Sequence, residues 1–149
     1  ILEALQKDAR ISLQELGKQV GLTSSPCWNR IRRMEEAGVI EGYSVRINPE
    51  KIGLTETVIL HVTIDSHSDE ALFEFGQALE GIPEVLEAFL VSGDYDYYIR
   101  VAVEGTRGYE RFLRERLYKI PGIRNSKSSF VLRRLKQSQL PLKRPTKDE

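Results

Sequence analysis

Seven side chains that carry hydrogen-bond donors fall within one short stretch: Ser24, Ser25, Trp28, Asn29, Arg30, Arg32 and Arg33. They offer two hydroxyls, an indole N–H, a carboxamide that both donates and accepts, and three guanidinium forks. Such a set suits a partner with planar polar edges flanked by anions. Asn and Arg pair with base edges in the grooves of a duplex, and guanidinium groups neutralise phosphates. Hydrolytic or metal chemistry is poorly served. Cys27 is the single cysteine, and the two histidines, His61 and His67, have no cysteine near them. No nucleophile–base pair and no phosphate loop can be read from the spacing. No catalytic residue, metal site or cofactor is therefore expected, and the chain is not expected to be an enzyme.

The neighbouring residues indicate what positions these groups. Leu13, Leu16 and Val20 recur at helical spacing. Ser12 is a candidate N-cap with Glu15 three residues on, a capping box. Gly21 stands where a left-handed C-cap is wanted, and Leu22 turns back into the core. Thr23 or Ser24 can cap a second helix, with Pro26 tolerated in its first turn. At about 100° per residue, Cys27, Ile31 and Met34 make one buried stripe. Ser25, Asn29, Arg32, Arg33 and Glu36 then lie opposite it, with Trp28 on the border, and Gly38 stops the helix. Two short helices and a tight turn predict a helix-turn-helix, whose second helix enters the major groove. An ordinary αα-hairpin would share the apolar spacing; the choice of Ser, Asn and Arg on the polar face favours the groove-reading alternative. Tyr43, Val45 and Ile47 alternate with Ser44, Arg46 and Asn48, which predicts a strand, either a wing or a linker.

The 149 residues balance 22 basic against 22 acidic side chains, and 40% are hydrophobic. The balance hides a division. No Lys or Arg occurs from Ile52 to Ile99, where ten Asp and Glu occur; eleven Lys and Arg with three Glu run from Arg100 to Lys136. A phosphate backbone repels the acidic block, so the DNA-facing part is expected at the N-terminal end, with Arg30, Arg32 and Arg33. No apolar run is long enough to span a membrane, and no signal pattern is present, so no membrane partner is expected. A single cysteine fits a reducing cytoplasm. The chain opens at Ile1 inside an expected helix, which suggests a trimmed N-terminus.

The remainder reads β-α-β-β-α-β. Val58, Leu60, Val62 and Ile64 alternate in a first strand. Ser68 caps a helix lined by Leu72, Phe75 and Leu79 that ends at Gly81. Val85 to Val91 and Tyr97 to Val103 form a hairpin about Gly93-Asp94. Tyr109, Phe112, Leu113 and Leu117 line a second helix, and Ser126 to Leu135 make the last strand. This is the split βαβ, ferredoxin-like order. Two helices cover one sheet face. Ile59, Leu90, Tyr98 and Val131 are the expected apolar residues of the other, which predicts a dimer paired through that face.

This order of parts resembles the Lrp/AsnC family of transcription regulators. The resemblance rests on ILEALQKDARISLQELGKQVGLTSSPCWNRIRRMEEAGVIEGY in the first half, and on LVSGDYDYYIRV and KIPGIRNSKSSFVLRRLKQS in the second. It implies an α+β fold: an N-terminal winged helix-turn-helix domain and a C-terminal ferredoxin-like βαββαβ (RAM) domain. The expected boundaries are residues 1–42 for DNA binding, 43–54 for a linker strand, 55–136 for effector binding and oligomerisation, and 137–149 for a tail that either wraps a partner subunit or is mobile. It further implies a sequence-specific regulator of double-stranded DNA, forming a dimer that assembles to an octamer. A small effector, commonly an amino acid, is implied between dimers near Gly93, Asp94, Tyr95 and Asp96, with Ser128, Ser129 and Phe130 lining the same region. A zwitterion needs an anion for its ammonium, which Asp94 or Asp96 could supply, and donors for its carboxylate, which N–H groups about Gly93 could supply. The plainer alternative is a Gly-Asp hairpin with Tyr95, Tyr97 and Tyr98 packed on neighbouring subunits. The rival function is an effector-binding oligomeric module whose N-terminal domain binds a protein.

Overall fold

A computed structural model describes residues 1–138 and 140–142. The chain forms two compact units. One holds Ile1–Arg46 with the described residues from Lys136 onward; the other holds Ile47–Leu135. Gln139 and residues 143–149, most of the expected tail, lie outside the described residues.

The first unit contains α1 (Leu2–Lys7), α2 (Leu13–Val20) and α3 (Ser24–Glu36). Ser12 caps α2, its hydroxyl accepting the Glu15 N–H at 3.2 Å. Gly21 ends it with φ 69°, a backbone state that L side chains resist. The α2–α3 joint is tight. A methyl group placed on Gly17 would stand 2.5 Å from the Leu22 carbonyl oxygen, so only glycine lets the turn fold back this closely. Thr23 occupies the N-cap of α3 without a side-chain bond, and Cys27 and Leu16 are fully buried beneath the helix.

Residues 43–48 depart from expectation, for they form no strand. A strand requires a hydrogen-bonded neighbour, and the described residues of one chain supply none there. Tyr43, Val45 and Ile47 alternate as expected but are all exposed. Tyr43 instead donates its hydroxyl to Glu35 Oε1 at 2.8 Å.

The second unit begins with a 3-10 turn at Pro49–Ile52. It continues as β1 (Glu56–Ile64), α4 (Asp69–Glu80), β2 (Val85–Leu90), β3 (Tyr97–Val103), α5 (Gly105–Glu115), a 3-10 turn at Leu117–Lys119 and β4 (Ile123–Phe130). The sheet order is β2-β3-β1-β4, antiparallel throughout. Alternation in β1 sends Val58, Leu60, Val62 and Ile64 into the core, where they meet Phe75 and Leu79 of α4 and Tyr109 and Phe112 of α5. Each such side chain contributes about 1.5–3 kcal/mol on burial. Ser68 caps α4 through the Ala71 N–H at 3.2 Å.

The opposite face carries Ile59 between Arg100 and Ser129, and His61 between Tyr98 and Lys127. Phe89 lies beyond Tyr98 on β2. Leu90, expected here, is on the helix side. The β2–β3 register shifts between Val85 and Glu87, so one residue is inserted and every later side chain changes face. Leu90 therefore pairs with Tyr97 and joins Leu72, Phe73 and Leu86 around a groove of about 480 Å³. The last strand also differs from expectation. It starts at Ile123, and its final ladder bond runs from the Val131 N–H to the Thr57 carbonyl. Beyond that point Leu132 and Leu135 are exposed.

Candidate nucleic-acid interface and effector turn

All seven singled-out residues of α3 are exposed: Ser24, Ser25, Trp28, Asn29, Arg30, Arg32 and Arg33. One helix brings them together because its other stripe is anchored by Cys27, with Ile31 and Met34 half-buried alongside. Thirteen residues give a rod of about 20 Å, long enough to lie in a major groove.

Within this surface three residues one turn apart form a chain. Arg32 donates its Nε–H to Glu36 Oε1 at 2.8 Å, and its guanidinium carbon lies 5.4 Å from the centroid of the Trp28 ring. Trp28 thus borders the polar face as a platform for Arg32 and stays half-exposed. Glu36 was legible only as one more polar residue. The i,i+4 spacing to Arg32 was the available signal.

The turn between β2 and β3 presents Gly93 and Asp94 to solvent, with Gly93 at φ 125°. Tyr95 is half-buried against His61, ring centroids 4.8 Å apart. Asp96 is committed to the turn itself. Its Oδ2 accepts the Ile64 N–H at 2.8 Å, and its Oδ1 lies 2.7 Å from His67 Nε2. Its backbone N–H donates to Val62, and its carbonyl accepts from Val91. Burial pushes the Asp96 carboxyl up, but the Ile64 bond, His67 and the Arg124 charge outweigh it and leave the group below its ordinary value. Among the described residues Asp94 carries no such bonds, so its exposed carboxylate is not committed to the turn as that of Asp96 is. No local pattern indicates that His67 meets Asp96 across 29 positions.

Ser128, Ser129 and Phe130 stand elsewhere on the sheet. Ser126 and Tyr97 face the same β1 residue, Val62, whereas Phe130 faces Val58. Phe130 is thus displaced about 13 Å along the strands and two strands across from the turn. Ser128 hydrogen-bonds the Tyr109 hydroxyl on the helix side, Ser129 lies on the open face, and Phe130 meets the Tyr109 ring edge-on at 5.2 Å. One chain does not bring the two expected halves of the effector site together.

Among the described residues no group of three His, Cys, Asp or Glu side chains is placed to hold a metal ion. None of the described helices is long and apolar enough to cross a membrane.

The chain matches two family models, the Lrp/AsnC ligand binding domain over residues 57–141 and a winged helix-turn-helix DNA-binding domain over residues 1–41. It is 37% identical over 138 residues to the leucine-responsive regulatory protein of Escherichia coli, covering 93% of this chain and 84% of that one. An AsnC family transcriptional regulator from Agrobacterium tumefaciens superposes with TM-score 0.88 at 38% identity, covering 94% of this chain and 92% of that one. A feast or famine regulatory protein from M. tuberculosis, solved with L-methionine, superposes with TM-score 0.83 at 30% identity and the same coverage, 94% and 92%. A Neisseria meningitidis transcriptional regulator in complex with L-Met gives 0.86 at 29% identity, covering 93% and 90%. The exposed arginine-bearing helix and the βαββαβ sheet are therefore parts of one known design, and the chain belongs to the Lrp/AsnC family of DNA-binding transcriptional regulators.

Proposed function

We propose that this regulator reads a pseudo-palindromic duplex site with α3. Asn29 and Arg32 approach base edges, with Ser24, Ser25 and Trp28 beside them, while Arg30 and Arg33 hold phosphates. The observation that carries this reading is the exposure of the entire polar stripe on a helix whose other stripe is anchored by buried Cys27. Two copies pair through the open sheet face around Ile59, His61, Phe89 and Tyr98, so the dimer carries two recognition helices for half-sites about one helical turn, or a multiple of it, apart. Dimers associate further, to an octamer. An amino acid binds at the Gly93–Asp96 turn, where Asp94 meets its ammonium and turn N–H groups meet its carboxylate. Because Ser128 to Phe130 lie away from that turn in one chain, their part in the site comes from another copy. The protein works in the cytoplasm as a regulator without enzymatic turnover.

Gel shifts on the protein's own promoter test the first part. Affinity should fall steeply as salt rises, and Arg30→Ala or Arg33→Ala should each flatten the slope by about 0.9. A salt-independent interaction would sink DNA reading. Thermal-shift measurements against the twenty amino acids test the second. One of them should raise the melting temperature with concentration in the parent chain and not in Asp94→Ala.

A further inference from the structure

The Trp28–Arg32–Glu36 chain separates two ways an arginine can act on a duplex. A guanidinium free in solvent is a mobile charge that settles on a phosphate. Arg32 has two neighbours on its own helix that bias its direction: Glu36 accepts its Nε–H at 2.8 Å, and its guanidinium carbon lies 5.4 Å from the centroid of the Trp28 ring. The pair with Glu36 carries no net charge, so it displaces few counterions from the DNA, and the Glu36 carboxylate would repel a phosphate brought close. What remains are the four N–H groups on the two terminal nitrogens. Among the described residues they have no further partner. Two of them in parallel match the O6 and N7 acceptors of guanine and no other base edge in the major groove.

We infer that Arg32 is a guanine-reading residue, and that Glu36 and Trp28 are positioning residues that hold its fork toward the base and away from the phosphates. The inference rests on the proposal that α3 lies in the major groove, and gives that reading a base. Glu36 therefore lowers general affinity for DNA and raises discrimination. Removing its charge frees Arg32 to act as an ordinary cation. The variant should bind random duplex more tightly and choose among sequences less well.

In vitro selection from a random duplex library, with the full chain, supplies the site and tests the assignment. The parent chain should enrich one guanine per half-site that Arg32→Ala and Arg32→Lys no longer require, with discrimination there falling about tenfold or more. Arg32→Ala combined with Glu36→Gln, which removes the neutral pair whole, should leave the salt slope on the selected duplex unchanged. Glu36→Gln should steepen the slope on random duplex, strengthen that binding, and lose discrimination at the same guanine while keeping the rest of the motif. Trp28→Leu should lose discrimination in the same place. A motif identical in the parent chain, Arg32→Ala and Glu36→Gln would overturn the guanine assignment while leaving DNA reading intact. So would a slope for the double variant Arg32→Ala/Glu36→Gln reduced as much as that of Arg30→Ala, which would put Arg32 on a phosphate. If the parent chain enriched no motif at any salt, groove reading itself would fall.

Discussion

Asp96 shows how far a residue's type can mislead about its role. A carboxylate in a Gly-Asp turn invites a ligand, yet this one accepts the Ile64 N–H and faces His67 at 2.7 Å, so it serves the turn. Its depressed pKa carries a stability consequence with a definite sign. The folded value lies below the ordinary 3.8, so the stabilisation is complete above that value and is lost as pH falls through the lowered folded pKa. Denaturant midpoints measured from pH 6 downward should show an acid loss that Asp96→Asn removes, with the variant weaker at neutral pH. An unchanged acid limb would mean that Asp96 is not the group titrating. None of this could be read from the sequence, because His67 and Ile64 reach Asp96 only through the pairing of β1 with β3. The exposure of Asn29 and Arg32, by contrast, was legible outright. Helical periodicity alone sends them opposite Cys27, and the core needs Cys27 inside.

Among the elements, α2 and α3 were readable to the cap, since Ser12, Gly21 and the apolar spacing are local signals. Those that departed from expectation, the strand over residues 43–48, β2 and β4, all depend on partners. An unbroken alternation from Val85 puts Leu90 on the open face, and only the inserted residue before Glu87 reverses it. The alternation that continues past Phe130 into Leu132 has no ladder to join in a single chain. Gly17 was also passed over as an ordinary helix residue, although it sets the spacing of the helix-turn-helix. Gly17→Ala gains helix propensity but drives a methyl group to 2.5 Å from a backbone carbonyl that cannot rotate away. The overpacking should cost about 1–3 kcal/mol in the DNA-binding unit. Urea denaturation followed by Trp28 fluorescence reads that unit directly, and a neutral or stabilised variant would show that the turn has room to give.

Over the whole molecule the two units differ in what holds them. The core of the second runs through Val58, Leu60, Ile99, Phe112 and Leu117, whereas among the described residues Leu16 and Cys27 are the fully buried apolar side chains of the first. Calorimetry should therefore resolve two transitions, the cooler one carrying the Trp28 signal and moving upward when duplex is added. A single transition would mean that the units unfold together. The Gly17–Leu22 approach bears on how a signal of the proposed kind could reach the duplex. An approach that close leaves α2 and α3 little room to slide on each other, so on the proposed reading α3 presents the same lettering to DNA with or without an effector. On the proposed reading the message would then be written in distances: loading with ligand would change which phasing of half-sites the assembly tolerates along the duplex, and would leave the half-site alphabet alone.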